Sequence, residues 1–496
     1  MDRRNFLAGT GTVAAAAAFG PPVAWAASDL IRGENAKAGT TEWMLNNPRV
    51  EENKIRCPWI EGYCNRNSVK TGEKLGIKVS TNPPVKFTLD IYRLGYYGGK
   101  GGRLMERLQV KQGSPQPDPP VGDVRVRECN WETAHELTIP TDWPSGVYLG
   151  KLTEQNEKID SYVVFIVRDD RPCDFLFQCS DTTWSAYNRW PDLWSLYDEG
   201  TPPHNWYTGP GVSVSFDRPY GRYRQIFDAP LSQGSGEFLL WEFPLAFWME
   251  QHGYDVSYIS NIDTHAEPAR LLKAKSFISV GHDEYWSVAM YDHVKAAIDA
   301  GVQAAFFCGN SVDGALDIRG GKNGAANRVI ERVGKFGGPN SERERSFKTP
   351  WKLHGPDPAA LMGAQTTSPA NGSADWTCTN DKHWLFDGSG MKSGDAIKGL
   401  VGWEHHGPPL GQMAGLEVLA RGPVLSRGRA QNTEYTAVIF PGPKNNSVFN
   451  AATIWWSDGL SAPPGYLRPS AHGGTPPGPD ERVQRITTNL FKRFLA

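Results

Sequence analysis

The sequence predicts a β-rich N-terminal domain followed by an α/β domain, with the boundary near residue 170. Before this point apolar and polar residues alternate over short segments, which is the pattern of half-buried strands. After it, continuous apolar runs such as 277–280 and 304–308 are typical of parallel strands covered on both faces. A chain of 496 residues with 39% hydrophobic content is also long enough for two domains. We therefore expect the fold class α/β plus β.

The first residues predict an export signal. Arg3 and Arg4 precede an apolar run over 14–19, and Ala24-Trp25-Ala26 offers small residues at cleavage-site spacing. The run is much shorter than the roughly 20 residues that a bilayer needs, which disfavours a membrane anchor. We interpret 1–27 as a twin-arginine signal, removed to leave a periplasmic or secreted protein without an anchor. Proteins exported by this route cross the membrane folded, often with a cofactor already bound, which hints at a metal.

Residues 28–170 are predicted to form an immunoglobulin-like β-sandwich. Strands are expected over 75–79, 85–91, 137–139, 147–152 and 162–167, with turns rich in proline, glycine and aspartate between them. The glycine-rich loop at 98–102 is interpreted as a hairpin turn, the alternative being a flap over a cleft.

Residues 171–496 are predicted to form a doubly wound α/β domain. Strands are expected over 174–178, 254–260, 276–280 and 302–308. Pro244 suits a first helical turn and Gly253 a C-terminal cap, and Ser287 can begin a helix that runs to Ala300. The final stretch, 479–496, has helical periodicity and predicts a packing helix. In such a domain ligands bind at the carboxyl ends of the strands.

Ionisable and amide side chains follow three of these strands. The third strand leads directly into Gly281-His282-Asp283-Glu284-Tyr285-Trp286-Ser287, the fourth into Asn310, and the first into a segment that contains Tyr187. Each of these residues has an ordinary structural interpretation, since a buried glutamate can be paired and a tyrosine can simply pack. Because parallel strands end at one edge of the sheet, we expect Tyr187, Glu284 and Asn310 to converge on one site.

Charge and cysteine content exclude some classes of function. The 52 basic and 54 acidic residues give a net charge of -2, which lacks the electrostatic footprint of a nucleic-acid-binding protein. An odd count of seven cysteines leaves at least one of them free in an oxidising compartment.

Several distinctive segments follow one another in a fixed order along the chain: Ile91-Tyr92-Arg93-Leu94-Gly95-Tyr96-Tyr97-Gly98-Gly99, Phe216-Asp217-Arg218-Pro219-Tyr220, the 281–287 run, Gly309-Asn310-Ser311, Val401-Gly402-Trp403-Glu404, and 448–460 with Trp455-Trp456-Ser457. In kind and order they resemble the large subunit of the N,N-dimethylformamidase family, over roughly residues 60–460. The resemblance implies a glutamine amidotransferase-like α/β domain.

In that family two tyrosinates and one glutamate hold a mononuclear ferric ion. The resemblance implies that Glu284 is the carboxylate, Tyr187 the first tyrosinate and Tyr220 the second. Three further tyrosines compete for the second position, namely Tyr207, Tyr223 and Tyr285. The family's catalytic groups correspond to His282, Asn310 and Glu404.

The implied chemistry is coherent in physical terms. Three hard anionic oxygen ligands balance a trivalent charge and suit ferric iron better than zinc, which favours nitrogen and sulfur. Such an ion lowers the pKa of bound water from about 15.7 toward neutrality, which creates a nucleophile for an amide carbonyl. The resemblance therefore predicts an iron-dependent hydrolase of a small amide. It is also compatible with a homo-oligomer or with a small partner subunit.

Three other interpretations remain open at this stage. Cys308 ends a strand near His282 and Glu284, as in cysteine-dependent amidases. The chain is also compatible with an exported ligand-binding protein that has no catalytic activity. Finally, a surface metal site is an alternative for His405, His406 and His204. Adjacent histidines point in different directions, which disfavours a shared metal at His405 and His406.

Overall fold

The structure, a computed structural model, describes residues 29–52, 54–198, 209, 211–337, 353–409 and 413–496. The predicted signal over 1–27, Tyr207 and His204 lie outside these residues. Within the described part the chain is a mixed α/β protein with more strand than helix. None of the described helices is both long and apolar enough to span a membrane.

The α-helices of the described residues are α1 (Leu30–Asn35), α2 (Asp181–Tyr187), α3 (Phe243–Gln251), α4 (Asn261–Ala266), α5 (Val288–Ala300), α6 (Ala359–Met362) and α7 (Glu481–Leu495). The strands are β1 (Glu61–Cys64), β2 (Ser68–Lys70), β3 (Lys74–Ser80), β4 (Lys86–Leu94), β5 (Gly102–Gln112), β6 (Thr133–Thr138), β7 (Gly146–Glu154), β8 (Asp160–Arg168), β9 (Cys173–Cys179), β10 (Ser213–Ser215), β11 (Val256–Ser260), β12 (Ala274–Gly281), β13 (Tyr285–Ser287), β14 (Gln303–Cys308), β15 (Gly314–Arg319), β16 (Val329–Phe336), β17 (Leu353–His354), β18 (Ala364–Asn371), β19 (Ala374–Thr377), β20 (Ala396–Val401), β21 (Glu404–Pro409), β22 (Glu417–Ser426), β23 (Arg429–Pro441) and β24 (Ser447–Asn450).

Two sheets with a common core form the first part of the molecule. One contains β1-β3-β6, and the other contains β2-β8-β7-β4-β5, in which only the β2–β8 pair is parallel among the described strands. Apolar side chains from both sheets, among them Ile77, Ile91 and Val163, form a single buried cluster. The strands predicted from the alternating pattern are confirmed. The immunoglobulin-like topology and the domain limits stay predictions.

A seven-stranded mixed sheet lies at the centre of the rest of the chain, in the order β11-β9-β12-β14-β24-β23-β22. The neighbours from β11 to β24 pair in parallel, which confirms the four predicted parallel strands. The sheet then continues with the antiparallel β23 and β22, which the sequence did not predict. In β22, the edge strand, buried and exposed residues are mixed, so it lacks a continuous apolar run. The glutamine amidotransferase-like assignment stays a prediction.

The predicted helix ends are confirmed. Pro244 lies in the first turn of α3, and Gly253 follows the helix with a φ of 68°. The Ser287 hydroxyl accepts a hydrogen bond from the Met290 amide at the start of α5, which ends before Gly301 with a φ of 111°. The last helix, α7, buries the apolar face that the sequence predicted, which consists of Val483, Ile486, Leu490 and Phe494.

The segment 91–99 joins the N-terminal sheets to the α/β part. Arg93, at the end of β4, is fully buried, and its guanidinium donates to both carboxylate oxygens of Glu250 on α3 at 2.8 and 2.9 Å. It also donates to the Tyr97 hydroxyl at 3.0 Å. The glycines that follow turn the chain from β4 into its antiparallel neighbour β5, so the predicted hairpin turn is confirmed. A buried ion pair thus connects the two parts of the molecule.

Candidate functional site

The predicted convergence of side chains at the strand ends is confirmed. Tyr187, the last residue of α2 after β9, donates a 2.5 Å hydrogen bond to the carboxylate of Glu284, which follows β12. Asn310, after β14, donates to Glu404 Oε2 at 2.9 Å. His282 Nε2 lies 3.1 Å from Glu284 Oε2 and 2.9 Å from Glu404 Oε2, so it connects the two carboxylates.

Three tyrosines surround Glu284, and we refer to Tyr187, Tyr197, Tyr285 and Glu284 as the tyrosine–glutamate cluster. The Tyr187 and Tyr197 hydroxyls lie 2.9 Å apart, and Tyr197 donates to Glu284 Oε1 at 3.2 Å. Tyr285 donates a short hydrogen bond to the Tyr197 hydroxyl. The rings of Tyr187 and Tyr197 stack with their centroids 4.8 Å apart. Both oxygens of Glu284 therefore face phenol groups.

Burial controls the protonation of this cluster. Desolvation, with the adjacent Glu284 charge, raises the pKa of Tyr187 and of Tyr197 well above the usual value for tyrosine. Burial also opposes the ionisation of Glu284, but the hydrogen bond and charge of His282 and the hydrogen bond from Tyr187 hold its pKa below the usual value. In this state the tyrosines are protonated donors to a carboxylate.

Arg332, on β16, supports the cluster from the side. Its Nη1 donates to the Tyr285 hydroxyl at 3.1 Å, and its guanidinium carbon lies 4.8 Å from the centre of the Tyr197 ring. A cation in this position stabilises negative charge on the phenol oxygens. Arg332 could not be predicted from the sequence, because β16 belongs to a different sheet from β9, β12 and β14.

The second half of the site is a hydrogen-bonded chain around Glu404, the first residue of β21. Its Oε1 accepts from Asn371 Nδ2 at 3.0 Å, while Asn310 and His282 approach Oε2. Burial alone would lower the pKa of His282. The charges and hydrogen bonds of Glu404 and Glu284 have the larger effect, so the pKa of His282 is raised well above its usual value. The His282 ring lies between the rings of Tyr187 and Trp403.

Local backbone geometry positions this chain of residues. Asn310 has a φ of 54°, a left-handed conformation that asparagine adopts more readily than most residues. A Cβ on Gly309 would lie 2.4 Å from the Glu404 carbonyl oxygen, so only glycine permits this approach. The buried Asn310 Oδ1 has no hydrogen-bond partner among the described residues and is available as an acceptor.

The structure does not join Tyr220, the predicted second tyrosine ligand, to Glu284. Tyr220 packs edge-on against Trp184, and no hydrogen bond links it to Glu284 among the described residues. Tyr197 occupies the place expected for the second tyrosine, because the chain reverses after α2 and the Leu196 amide bonds back to the Ala186 carbonyl at 2.9 Å. The local sequence around Tyr197 contains no signal that would have indicated this reversal.

Two alternative sites are also corrected. His405 and His406 are fully buried, which rules out a surface metal site at these residues. His406 instead accepts a hydrogen bond from the Ser311 amide at 3.0 Å and supports the loop that carries Asn310. Cys308 is fully buried, and burial raises the pKa of its thiol to about 12, which disfavours a thiolate nucleophile.

The candidate metal ligands are oxygen atoms of tyrosine and glutamate. No group of three or more His, Cys, Asp or Glu side chains in the described ranges is arranged to hold a metal ion. The Tyr187, Tyr197 and Glu284 oxygens are separated by 2.5, 2.9 and 3.2 Å. Oxygen ligands about 2.1 Å from a small octahedral cation lie about 3 Å apart at right angles. The two tyrosine oxygens have this spacing, whereas the 2.5 and 3.2 Å distances reach different oxygens of Glu284.

Comparisons with known proteins place the chain in a family. The profile described as "N,N-dimethylformamidase beta subunit-like, C-terminal" matches residues 88–470. Among curated proteins, none matches the sequence. A family 123 glycoside hydrolase structure from Clostridium perfringens is 10% identical over 56% of this chain and 49% of its own, with a TM-score of 0.11. The aligned part is about half the length of that structure. A TM-score this low is not evidence of a shared fold. The profile match extends over most of the length of this chain. The chain therefore belongs to the N,N-dimethylformamidase beta subunit-like family.

Proposed function

We propose that the protein hydrolyses the carbon–nitrogen bond of amides, with a mononuclear ferric ion bound by Tyr187, Tyr197 and Glu284. The observation that supports this proposal most strongly is the meeting of these three oxygen donors beside His282 and Glu404 in a buried site. Membership of the dimethylformamidase-like family supports hydrolysis of an amide as the reaction.

The donor set suits a trivalent cation. Two tyrosinates and one carboxylate supply three negative charges, and hard oxygen ligands are matched to a hard metal ion. When bound, ferric iron supplies Lewis acidity toward a carbonyl oxygen and toward water. The buried Arg332 beside Tyr197 and Tyr285 lowers the cost of converting the phenols to phenolates.

Proton transfer is assigned to the Glu404–His282 pair. Amide hydrolysis adds a hydroxide equivalent to the carbonyl carbon and a proton to the nitrogen that leaves. Glu404 accepts the proton that the attacking water loses, and the His282 imidazolium donates one to the departing amine. The 2.9 Å contact between His282 Nε2 and Glu404 Oε2 then returns a proton from Glu404 to His282, which restores both groups.

Asn310 is assigned to the developing oxyanion. Its side chain is buried next to Glu404, and Nδ2 has a second hydrogen beyond the one that it donates to Glu404. A preorganised amide donor of this kind stabilises a tetrahedral intermediate. The hydrogen bonds of Asn371 and Asn310 to Glu404 hold the proton acceptor in one orientation before substrate binds.

The test is hydrolysis of simple formamides by the iron-loaded protein, with formate and amine released in equal amounts. We expect Glu404→Gln to lower kcat by about 100-fold or more, the usual contribution of a general base or acid. The exposed Glu417, at the start of β22, gives the matched control Glu417→Gln, which should retain wild-type kcat. A wild-type protein that binds iron but hydrolyses no amide would favour the non-catalytic ligand-binding alternative.

Export and partners belong to the same proposal. We propose that the chain is loaded with iron before twin-arginine export and acts in the periplasm or outside the cell. Because the matching family is named for one subunit of N,N-dimethylformamidase, we also propose that a small partner subunit or a second copy of this chain completes the active enzyme.

A further inference from the structure

A cleft that is open to solvent lies beside α2, which contributes Trp184 and Tyr187 to its lining. Tyr187 forms part of its wall, and the same side chain donates to Glu284. Glu237 also lines the cleft, and its carboxyl group is close enough to His282 for their charges to interact. Tyr187 is therefore shared by the cleft and the tyrosine–glutamate cluster.

Three arginines line this cleft, and Arg224 is the one whose charge its partners neutralise least. Arg189 pairs with Asp198 at 2.6 Å, and Arg222 makes two 2.6 Å hydrogen bonds to Asp228. Arg224 has weaker interactions: its Nε lies 4.0 Å from the same Asp228, and its Nη1 donates to the Lys54 carbonyl at 3.3 Å.

The Arg224 guanidinium is the best placed of the three to bind an anion. Its side chain is 45% exposed, compared with 13% for Arg222, and Asp228 is already engaged by Arg222 through both oxygens. A guanidinium has five donors in a planar fork that matches a carboxylate. Among the described residues, the one acid that lines the cleft is Glu237, which is buried and already accepts a hydrogen bond from Trp241.

We propose that this cleft selects amides that carry a carboxylate, held by Arg224, of which N-acyl amino acids are the simplest class. This inference rests on the proposed amide hydrolase activity and narrows its substrate. The aromatic rings of Tyr220 and Tyr223 line the same cleft and supply an apolar surface for the body of the substrate.

The experiment compares two formamides that differ in one group, N-formylglycine and N-ethylformamide. We expect wild-type kcat/KM to be higher for N-formylglycine, and Arg224→Gln to lower the ratio of the two values about 10- to 100-fold, the range for loss of a charge-assisted hydrogen bond. Arg224→Glu should lower the ratio further. The control is Arg107→Gln, at an exposed arginine on β5, which should leave the ratio unchanged.

Binding of N-formylglycine, measured by calorimetry, separates this inference from the catalytic proposal. If neither amide is hydrolysed, the proposed function fails, but weaker binding of N-formylglycine by Arg224→Gln than by wild type would still support the anion-binding cleft. Equal kcat/KM values and equal affinities for the two amides in the wild type, or an unchanged ratio in Arg224→Gln, would overturn it.

Discussion

The buried ion pair between Arg93 and Glu250 should be one of the most costly interactions to break in this protein. Both side chains are 0% exposed, and the guanidinium donates to Glu250 twice and to the Ser145 carbonyl at 2.9 Å. Glu250→Gln preserves the shape of the side chain but removes its charge, so the Arg93 cation stays buried without a counter-charge. Breaking a buried pair in this way costs about 3–5 kcal/mol.

The double variant Arg93→Met/Glu250→Gln provides the comparison. The glutamine in it can still accept from the Tyr258 hydroxyl, which lies 2.9 Å from Glu250 Oε1, and neither member of the original pair is charged. We therefore expect the double variant to be more stable than the sum of the single effects predicts, by about 2 kcal/mol or more. The free energies of unfolding are measured in urea by tryptophan fluorescence.

An exposed pair serves as the matched control. Arg49 and Glu157 lie 2.8 Å apart with side chains 40% and 57% exposed, and Glu157→Gln should cost no more than about 1 kcal/mol. If Glu250→Gln costs as little as this control, or if the double variant shows no coupling energy, the assignment of the 91–99 segment as an ionic connection would be refuted.

Three further predictions concern the site and the core. Cys308→Ala should retain wild-type amide hydrolysis, and native Cys308 should resist iodoacetamide; loss of activity would restore the cysteine nucleophile. Gly309→Ala should lower kcat about 10-fold or more while the protein stays folded by circular dichroism, since its Cβ would displace Glu404; unchanged kcat would contradict this geometry. Burial raises the pKa of Asp458 to about 7, so this group makes the folded state bind an extra proton between about pH 4 and 7. As the pH rises over that range, the contribution of Asp458 to the free energy of unfolding should therefore fall by on the order of 4 kcal/mol. Asp458→Asn should reduce the pH dependence of that free energy, and an unchanged pH dependence would contradict the raised pKa.

Strands buried on both faces could be predicted from the sequence, whereas partly exposed strands could not. The runs 277–280 of β12 and 304–308 of β14 are apolar except for Ser279, and all of their residues are buried. In β22 buried and exposed residues do not alternate with a strict period of two, because register shifts interrupt the pairing of β22 with β23. Period-based interpretation therefore missed the antiparallel extension of the central sheet.

The same limit applies to the candidate site. Tyr187, Glu284 and Asn310 follow parallel strands of one sheet, so the order of elements alone predicted that they would meet. Tyr197 reaches Glu284 through a chain reversal held by a backbone hydrogen bond. Arg332 arrives from another sheet altogether. Neither arrangement leaves a periodic or compositional signal in the sequence.

The most direct test of the proposed metal site is iron content together with the visible spectrum, measured on protein loaded in the cytoplasm. We predict about one ferric ion per chain with a visible absorption band from tyrosinate, and loss of both in Glu284→Ala while the fold is retained. Tyr197→Phe should weaken or remove the band, whereas Tyr220→Phe should keep it. A folded wild-type protein that is colourless and free of iron, or full iron occupancy in Glu284→Ala, would contradict the proposed site.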